Sequence, residues 1–253
     1  MQILSLDTDI FVFEQKFSDT DVRGVLILGQ RRAVIFDSLV DPTATAQLLP
    51  MIGARELSLV YSHADWDHVW GSCLLGDIPI IGHKMCGDRF ADPLDVASTL
   101  KSYQSSFPHL HTIRLCPPTK LFEETVAIDL GGITLELIHC PGHTSDSIIA
   151  LIPERGILLA ADCVETPLPL IDENCAAVPE WIEVLRRYES DSSISTVIPS
   201  HGDIGGRRLL SQTREYLEAV FQGDCKLSGE LDPFYAEAHK SNLRIVAKYN
   251  SVS

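Results

Sequence analysis

The stretch VYSHADWDHVWGS, residues 60–72, decides the fold class that this sequence predicts. It places His63, Asp65, Asp67 and His68 within six residues, directly after the apolar run LSLVY. Because side chains alternate between the two faces of a strand, all four can face one point only from a turn that follows the strand. A cation at that point would remove the repulsion between the carboxylates. Taken alone, the stretch also fits a surface loop with helix-capping aspartates.

Three later segments add residues of the same types directly beyond further apolar runs. His143 follows ITLELIH through the turn CPG, Asp162 closes LLAAD, and His201 follows STVIPS. In layered folds of helices and strands, sites assemble at the edge where strands end. Histidines and carboxylates on converging loops are the usual ligands of a metal site, so the seven residues together predict one.

The order of these seven residues resembles the metallo-β-lactamase superfamily. Its usual motifs are H-x-H-x-D-H, a Gly-His-Thr turn, an aspartate after a strand and a late histidine. The resemblance extends over roughly residues 10–220. It implies an α+β fold, arranged as a four-layer αββα sandwich. No repeat or linker divides the chain, so we expect a single domain over residues 1–253, with an insertion at about 84–120.

The resemblance also implies a site for two divalent metal ions. The ligands of the first metal would be His63, Asp65 and His143, those of the second would be Asp67, His68 and His201, and Asp162 would bridge both. Asp67 is also the predicted catalytic residue, since it would orient the metal-bound hydroxide. Zinc is the first expectation for the metal, with iron and manganese as alternatives.

Asp65 departs from the usual motif, because most members have a histidine at this place. A carboxylate is a harder ligand than an imidazole and shifts the preference of a site from zinc toward iron or manganese. Flavodiiron proteins and related diiron proteins also have an acidic residue here. Two interpretations of Asp65 are open. It is a ligand of the first metal through one oxygen, or it turns outward and bonds a neighbouring backbone amide.

The predicted function is that of a metal-dependent hydrolase acting on a small ester, thioester or lactone. The alternative is a non-haem diiron protein that binds, reduces or senses oxygen or nitric oxide. A third interpretation, a binding protein on a decayed hydrolase scaffold, is disfavoured because the six other ligands are retained. The chain has no flavodoxin-like segment, which argues against a complete flavodiiron reductase.

Composition argues against several classes of partner. The net charge of −15 disfavours nucleic acids, whose binding depends on the neutralisation of phosphates. No run of 18 apolar residues is present, so no membrane-spanning segment is expected. Seven scattered cysteines without a C-x-x-C pair, and an N-terminus without a basic region, favour free thiols and a cytoplasmic location. A small-molecule substrate is the remaining expectation.

Some residues near the motifs receive other roles. His83 and His139 lie at strand ends, and we expect them to pack against the fold instead of binding metal. Tyr103 and Phe107, in the insertion, are candidate walls of the pocket. The loop ETPLPLIDENCAAV, residues 165–178, is expected to shape the same pocket.

Overall fold

The computed structural model describes residues 1–17, 20–173, 177–223, 225 and 230–251. The described chain divides into two compact units, Met1–Leu137 and Ile138–Ser253. The single domain expected for residues 1–253 therefore stays a prediction.

Within the described residues, the first sheet has seven strands in the order of the chain. The strands are β1 (Gln2–Ser5), β2 (Ile10–Phe17), β3 (Thr20–Leu28), β4 (Arg32–Phe36), β5 (Glu56–Val60), β6 (Ile80–His83) and β7 (Lys120–Phe122). Strands β1 to β4 pair antiparallel, and β4 to β7 pair parallel. The apolar runs FVF, GVLIL and AVIF therefore lie on neighbouring strands, as the sequence predicts.

The parallel pairing of β4 with β5 positions the HADWDH segment. Phe36 pairs with Val60 at the carboxyl ends of the two strands, and the Asp37 N–H donates to the Val60 carbonyl over 2.9 Å. The residue that leaves β4 and the residues that leave β5 thus emerge side by side. Such an edge brings side chains from different parts of the sequence together.

The helices of the first unit are short. They are α1 (Pro42–Thr45), α2 (Leu49–Ile52), α3 (Trp66–Val69), α4 (Lys84–Ala91) and α5 (Val96–Ser106). The stretch DPTATAQLLPMIGA, with a proline after Asp41 and Gly53 near its end, predicts one helix, but the segment is instead α1, a 3-10 turn and α2. Pro50 accounts for this break, since proline has no N–H for the helical bond to the preceding turn.

The second sheet consists of five strands in the described part of the chain. They are β8 (Thr125–Asp129), β9 (Thr134–His139), β10 (Ile148–Ile152), β11 (Ile157–Ala161) and β12 (Thr196–Pro199). Their spatial order is β12-β11-β10-β9-β8. Strand β10 pairs antiparallel with β11, and β11 pairs parallel with β12. All residues of β10 and β11 are buried, consistent with their continuous apolar runs.

An irregularity at the end of β11 sets the direction in which the next residue, Asp162, leaves the strand. The register with β12 shifts between Leu159 and Ala161, and Ala161 has a positive φ of 45°. This left-handed conformation costs a residue with a Cβ about 1–2 kcal/mol. The Ser200 N–H donates to the Ala161 carbonyl over 3.1 Å, so Asp162 and His201 leave neighbouring strands at the same edge.

The longer helices belong to the second unit. They are α6 (Val178–Glu189), α7 (Arg208–Gln222) and α8 (Pro233–Asn250). The amphipathic segments PEWIEVLRRYES and GRRLLSQTREYLEAVFQG predict α6 and α7, with Gly223 closing α7, whereas α8 was not predicted. No helix among the described residues is long and apolar enough to cross a membrane.

Candidate metal centre

The HADWDH segment is a turn followed by one turn of helix. Asp65 precedes α3 with an extended backbone, and its carbonyl accepts from the His68 N–H over 3.0 Å. The helix then carries Asp67 and His68, whose side chains are both buried. His63, on the turn itself, is also buried. The backbone of this turn and helix therefore holds the four polar side chains close together.

A glycine positions the first ligand of the second unit. Gly142, directly before His143, has φ 153°, and a Cβ on it would lie 2.3 Å from Cε3 of the buried Trp181. Only a residue without a side chain allows this close approach. The Pro-Gly turn predicted from the sequence thus fixes where His143 leaves β9.

Histidine and carboxylate atoms lie in pairs within each unit. In the first unit, His63 Nε2 is 3.6 Å from Asp65 Oδ2, and His68 Nε2 is 3.6 Å from Asp67 Oδ1. In the second unit, His143 Nε2 and His201 Nε2 are each 3.5 Å from the same Asp162 Oδ2. With metal–ligand bonds of about 2.1 Å, two ligands of one tetrahedral ion lie about 3.4 Å apart. The separations suit atoms that share a metal.

The other nitrogen of each of three imidazoles has a partner that orients the ring. His68 Nδ1 donates to Asp37 Oδ2 over 2.9 Å, and His143 Nδ1 donates to the Leu170 carbonyl over 2.9 Å. His63 Nδ1 lies 2.9 Å from Ser62 Oγ. Such partners fix the tautomer of a metal-binding histidine and leave Nε2 as the donor atom toward the metal.

Asp37 and Ser62 are functional candidates that the sequence analysis missed. Asp37 is fully buried, and its Oδ1 accepts from the Ser62 N–H over 2.7 Å. A signal for Asp37 was present, because it follows the apolar run AVIF directly, as the predicted ligands follow theirs. Ser62 directly precedes His63, and its hydroxyl supports the His63 ring.

The Asp65 side chain lies between His63 and an arginine, and its role as a metal ligand stays a prediction. Its side chain makes no hydrogen bond to the first amides of α3. Instead Oδ1 lies 2.8 Å from Arg89 Nη2, while Oδ2 faces His63. The sequence analysis did not anticipate this arginine.

An aromatic cluster lies beside these residues in the first unit. The rings of Trp66 and Tyr103 stack with centroids 5.1 Å apart, and Tyr103 also stacks on Phe107 at 6.2 Å. Burial raises the pKa of Tyr103, and the nearby Asp67 carboxylate raises it further. The predicted wall residues Tyr103 and Phe107 thus extend from the ligand segment. The loop 165–178 is described only in part, since residues 174–176 lie outside the described chain.

Glu165 is a third functional candidate that the sequence analysis missed. It lies three residues beyond Asp162 and is buried, and its Oε1 accepts from the Tyr235 hydroxyl over 2.7 Å. Burial raises the pKa of Glu165 from 4.5 to about 7, with His201 opposing the shift and Asp162 adding to it. A carboxyl group that titrates near neutral pH can hold or release a proton beside the predicted ligands.

The raised pKa of Glu165 predicts how stability changes with pH in the metal-free protein. Because the pKa is higher in the folded than in the unfolded state, the stability linked to it is full below about pH 4.5 and is lost as pH rises through 7. Glu165→Gln should remove this loss. The free energy of unfolding of the variant, relative to that of the parent, should therefore rise by about 3 kcal/mol from pH 5 to pH 8. The free energy of unfolding is measured by urea denaturation of chelator-treated protein at pH 5 and pH 8.

Glu215→Gln is the matched control, because Glu215 is an exposed glutamate of the same unit. Its effect on the free energy of unfolding should be the same at both pH values. An equal effect of Glu165→Gln at pH 5 and pH 8 would contradict the assigned pKa.

The other histidines at strand ends have structural partners, as expected. His83 caps α4 by accepting from the Met85 N–H through Nδ1, and its Nε2 donates to the Glu123 carbonyl over 2.7 Å. His139 Nε2 donates to the Ser145 carbonyl over 2.9 Å. The six cysteines that the structure describes are free, and Cys175 lies outside the described residues.

Comparison with known families identifies the superfamily. The family model described as the metallo-beta-lactamase superfamily matches residues 21–201, which include all seven predicted ligands. The chain belongs to the metallo-β-lactamase superfamily. This confirms the resemblance inferred from the motifs, and with it the prediction of a metal-dependent hydrolase.

Individual members of the superfamily are distant in sequence. The type 2 metallo-β-lactamase of Bacillus cereus is 26% identical over 206 residues, which cover 77% of this chain and 72% of that protein. The acyl-coenzyme A thioesterase MBLAC2 of Gallus gallus is 24% identical over 238 residues, 84% of each chain. The structure of the metallo-β-lactamase FIM-1 from Pseudomonas aeruginosa matches with a TM-score of 0.63 and 17% identity, covering 89% of this chain and 96% of that one.

The structural matches confirm the predicted fold class, the α+β sandwich of metallo-β-lactamases. The chain is thus a metallo-β-lactamase superfamily hydrolase with candidate metal-binding histidine and aspartate groups.

Proposed function

We propose that this protein hydrolyses a small ester, thioester or lactone at a centre for two divalent metal ions. The observation that carries the proposal is the environment of Asp162. One of its carboxylate oxygens is 3.5 Å from both His143 Nε2 and His201 Nε2. A carboxylate oxygen has more than one lone pair, whereas the free nitrogen of an imidazole has a single one. An aspartate between two imidazoles is therefore suited to bridge two metals.

We propose the same division of ligands that the motifs imply. The candidate groups of metal-ligating side chains support it: His63, Asp65 and His143; Asp67, His68 and His201; and His63, His68 and Asp162. In this division, each histidine–aspartate pair of the first unit serves one metal. The pairs at 3.6 Å agree with that arrangement.

The donor set fits a divalent ion of the zinc, iron or manganese type. It consists of imidazole nitrogens and carboxylate oxygens, which suit these metals. The nearby Cys163 does not add a thiolate, because its thiol is buried and donates to the Cys140 carbonyl over 3.5 Å. We propose zinc as the natural metal. The relative FIM-1 supports this, since its structure is of the mono-zinc form.

The metals, when bound, would lower the pKa of a water and polarise the carbonyl of the substrate. The side chains of the protein would orient the water, hold a ligand in place and supply a proton. Asp67 would orient the attacking water through a carboxylate oxygen. Asp37 would hold the His68 ring in place through its 2.9 Å bond to Nδ1. Glu165, held by Tyr235, would offer a proton beside the departing group when it is protonated.

Two observations support the substrate class. A relative named as an acyl-coenzyme A thioesterase matches over 84% of both chains. The stacked rings of Trp66 and Tyr103, with Phe107 beyond them, provide an apolar surface next to Asp67 on which an acyl chain can lie. We further propose a cytoplasmic location, supported by the free thiols of the described cysteines.

The experiment combines metal analysis with a substrate panel. Protein purified without added metal is analysed for zinc, iron and manganese, and is then tested on a p-nitrophenyl ester, a short acyl thioester, a lactone and a chromogenic β-lactam. We expect hydrolysis of an ester, thioester or lactone that stops after chelation and returns with zinc. Metal-loaded protein that hydrolyses none of them would overturn the proposal.

A diiron protein for oxygen or nitric oxide is the second candidate, favoured by the carboxylate of Asp65 beside His63. The same preparation distinguishes it. Iron near two atoms per chain, with an optical spectrum that changes with oxygen or nitric oxide and no hydrolysis, would support this candidate instead.

A further inference from the structure

Arg89 connects the unusual ligand of the motif to a second carboxylate. It lies in the last turn of α4, and its Nη2 is 2.8 Å from Asp65 Oδ1. On its other side, Nε donates to Asp95 Oδ2 over 2.8 Å and Nη2 donates to Asp95 Oδ1 over 3.2 Å. The guanidinium is planar with donors in a fixed fork, so two such partners leave it little freedom.

The carboxylate of Asp95 bonds Arg89 and does not cap its own helix. It occupies the N-cap position of α5, yet its side chain makes no capping hydrogen bond there. An N-cap aspartate that bonds the first amides stabilises a helix by about 1 kcal/mol, so α5 lacks this contribution when the carboxylate has a different partner. Here the carboxylate instead holds Arg89 with two hydrogen bonds, which is the geometry of a bidentate pair.

The surroundings of the Asp95–Arg89–Asp65 bridge exclude much of the solvent. The Arg89 side chain is 19% exposed, and both aspartate side chains are 31% exposed. The three residues line a cavity of about 180 Å³ together with Trp66 and Trp70. Ion pairs with restricted access to water hold their geometry better than those on an open surface.

We infer that Arg89 is a positioning residue for the first metal site, acting through Asp65. The inference rests on the proposed function, in which Asp65 is a ligand. The two oxygens of a carboxylate lie in one plane with a fixed separation. When Arg89 holds Oδ1, rotation of the group is restricted and Oδ2 remains directed toward His63, 3.6 Å from its Nε2. An imidazole at position 65 would offer the arginine no carboxylate to hold.

A double-mutant cycle tests the inference. The four proteins are the parent, Asp65→Ala, Arg89→Gln and the double variant. For each, the metal content is counted, the dissociation constant of the weaker zinc is measured by competition with a chelator, and the melting temperature is measured without metal. We expect Arg89→Gln to weaken the first-site zinc about 10–100-fold. In the Asp65→Ala background the first site is titrated at raised zinc concentration, and there the same change should weaken binding no further, because Arg89 acts through Asp65.

Two further variants control for folding and charge. Arg89→Lys keeps the charge but loses the fork, and it should weaken zinc less than Arg89→Gln does. It also serves as the test if Arg89→Gln does not fold. Arg23→Gln removes another partly buried arginine of the first unit, paired with Glu14 at 2.7 Å, and should lower the melting temperature without changing zinc binding.

Two results would overturn the inference alone. One is a loss of zinc affinity that is equal in both backgrounds, and the other is a lower melting temperature with unchanged affinity. In the first case Arg89 affects the site by a route other than Asp65, and in the second it only ties α4 to α5. If Asp65→Ala itself retains both zinc ions at parental affinity, then the ligand role proposed for Asp65 fails as well, and the two failures are thus distinguished.

Discussion

Asp162→Ala is expected to leave the protein with close to no bound metal, where the parent binds about two ions per chain. The reason is the shared position of this carboxylate. Its Oδ2 lies 3.5 Å from both His143 Nε2 and His201 Nε2, so its loss removes a ligand from both proposed metals. Hydrolysis should fall by at least about 100-fold, since the reaction depends on the metals for its nucleophile. Elemental analysis after dialysis is the measurement.

Asp191→Ala is the control for this prediction. Asp191 is an aspartate of the same unit that lies outside the motifs, and its carboxylate accepts from the Ser193 N–H over 2.9 Å and from the Ser193 hydroxyl over 2.6 Å. This variant should keep both metals and the parental rate. If Asp162→Ala also keeps two metals per chain, Asp162 does not bridge, and the dinuclear proposal loses its main support.

The second large effect is expected from Asp65→Ala, which should lower the metal content from about two ions to about one per chain. Asp67, His68, His143, Asp162 and His201 remain, so the second metal should stay. Hydrolysis should fall by about 10–100-fold, in line with the loss of one well-placed ligand group. Metal counting and the rate on a neutral ester are measured together.

Asp65→His extends this test because it restores the ligand type that most of the superfamily has. Relative to Asp65→Ala, it should restore the metal content to about two ions per chain. It should also shift the preference of the first site toward zinc over iron and manganese. It also removes the carboxylate that Arg89 holds at position 65 and keeps the pair with Asp95, which should lower the melting temperature. Full occupancy and unchanged activity in Asp65→Ala would show that Asp65 is not a ligand.

The candidate ligands could be predicted from the sequence because each has a local signal. His63, His143, Asp162 and His201 each follow an apolar run that forms a buried strand, and the order of the motifs is specific. The strands themselves were predictable for the same reason. A run such as ILLAA is too short and too apolar for an exposed helix, and it is fully buried in β11.

The residues that support the ligands could not be predicted in the same way. Asp37 lies 31 residues from His68, and Tyr235 lies 70 residues from Glu165. Pairs at such separations meet only because the strands and helices bring them together. No local sequence pattern predicts these contacts. Arg89 is similar, since a lone arginine in a helix is usually exposed to solvent.

Helix α8 was missed for a different physical reason. Its buried residues are Asn242 and Val246, so its inner face includes a polar side chain and shows a weak apolar period. The single helix predicted after Asp41 failed because the effect of Pro50 inside the pattern was underestimated.

Helix α8 has a consequence for how the protein loses activity on heating. Asn242 donates to the Pro169 carbonyl over 2.7 Å and accepts from the Ile171 N–H over 3.0 Å, and between them lies Leu170, whose carbonyl orients His143. Seven residues earlier on the same helix face, Tyr235 holds Glu165. Helices with few buried side chains, such as this one, open before fully buried strands do. Fraying of this helix would therefore loosen His143 and Glu165 together while the sheet that carries them is still intact, and inactivation would precede melting.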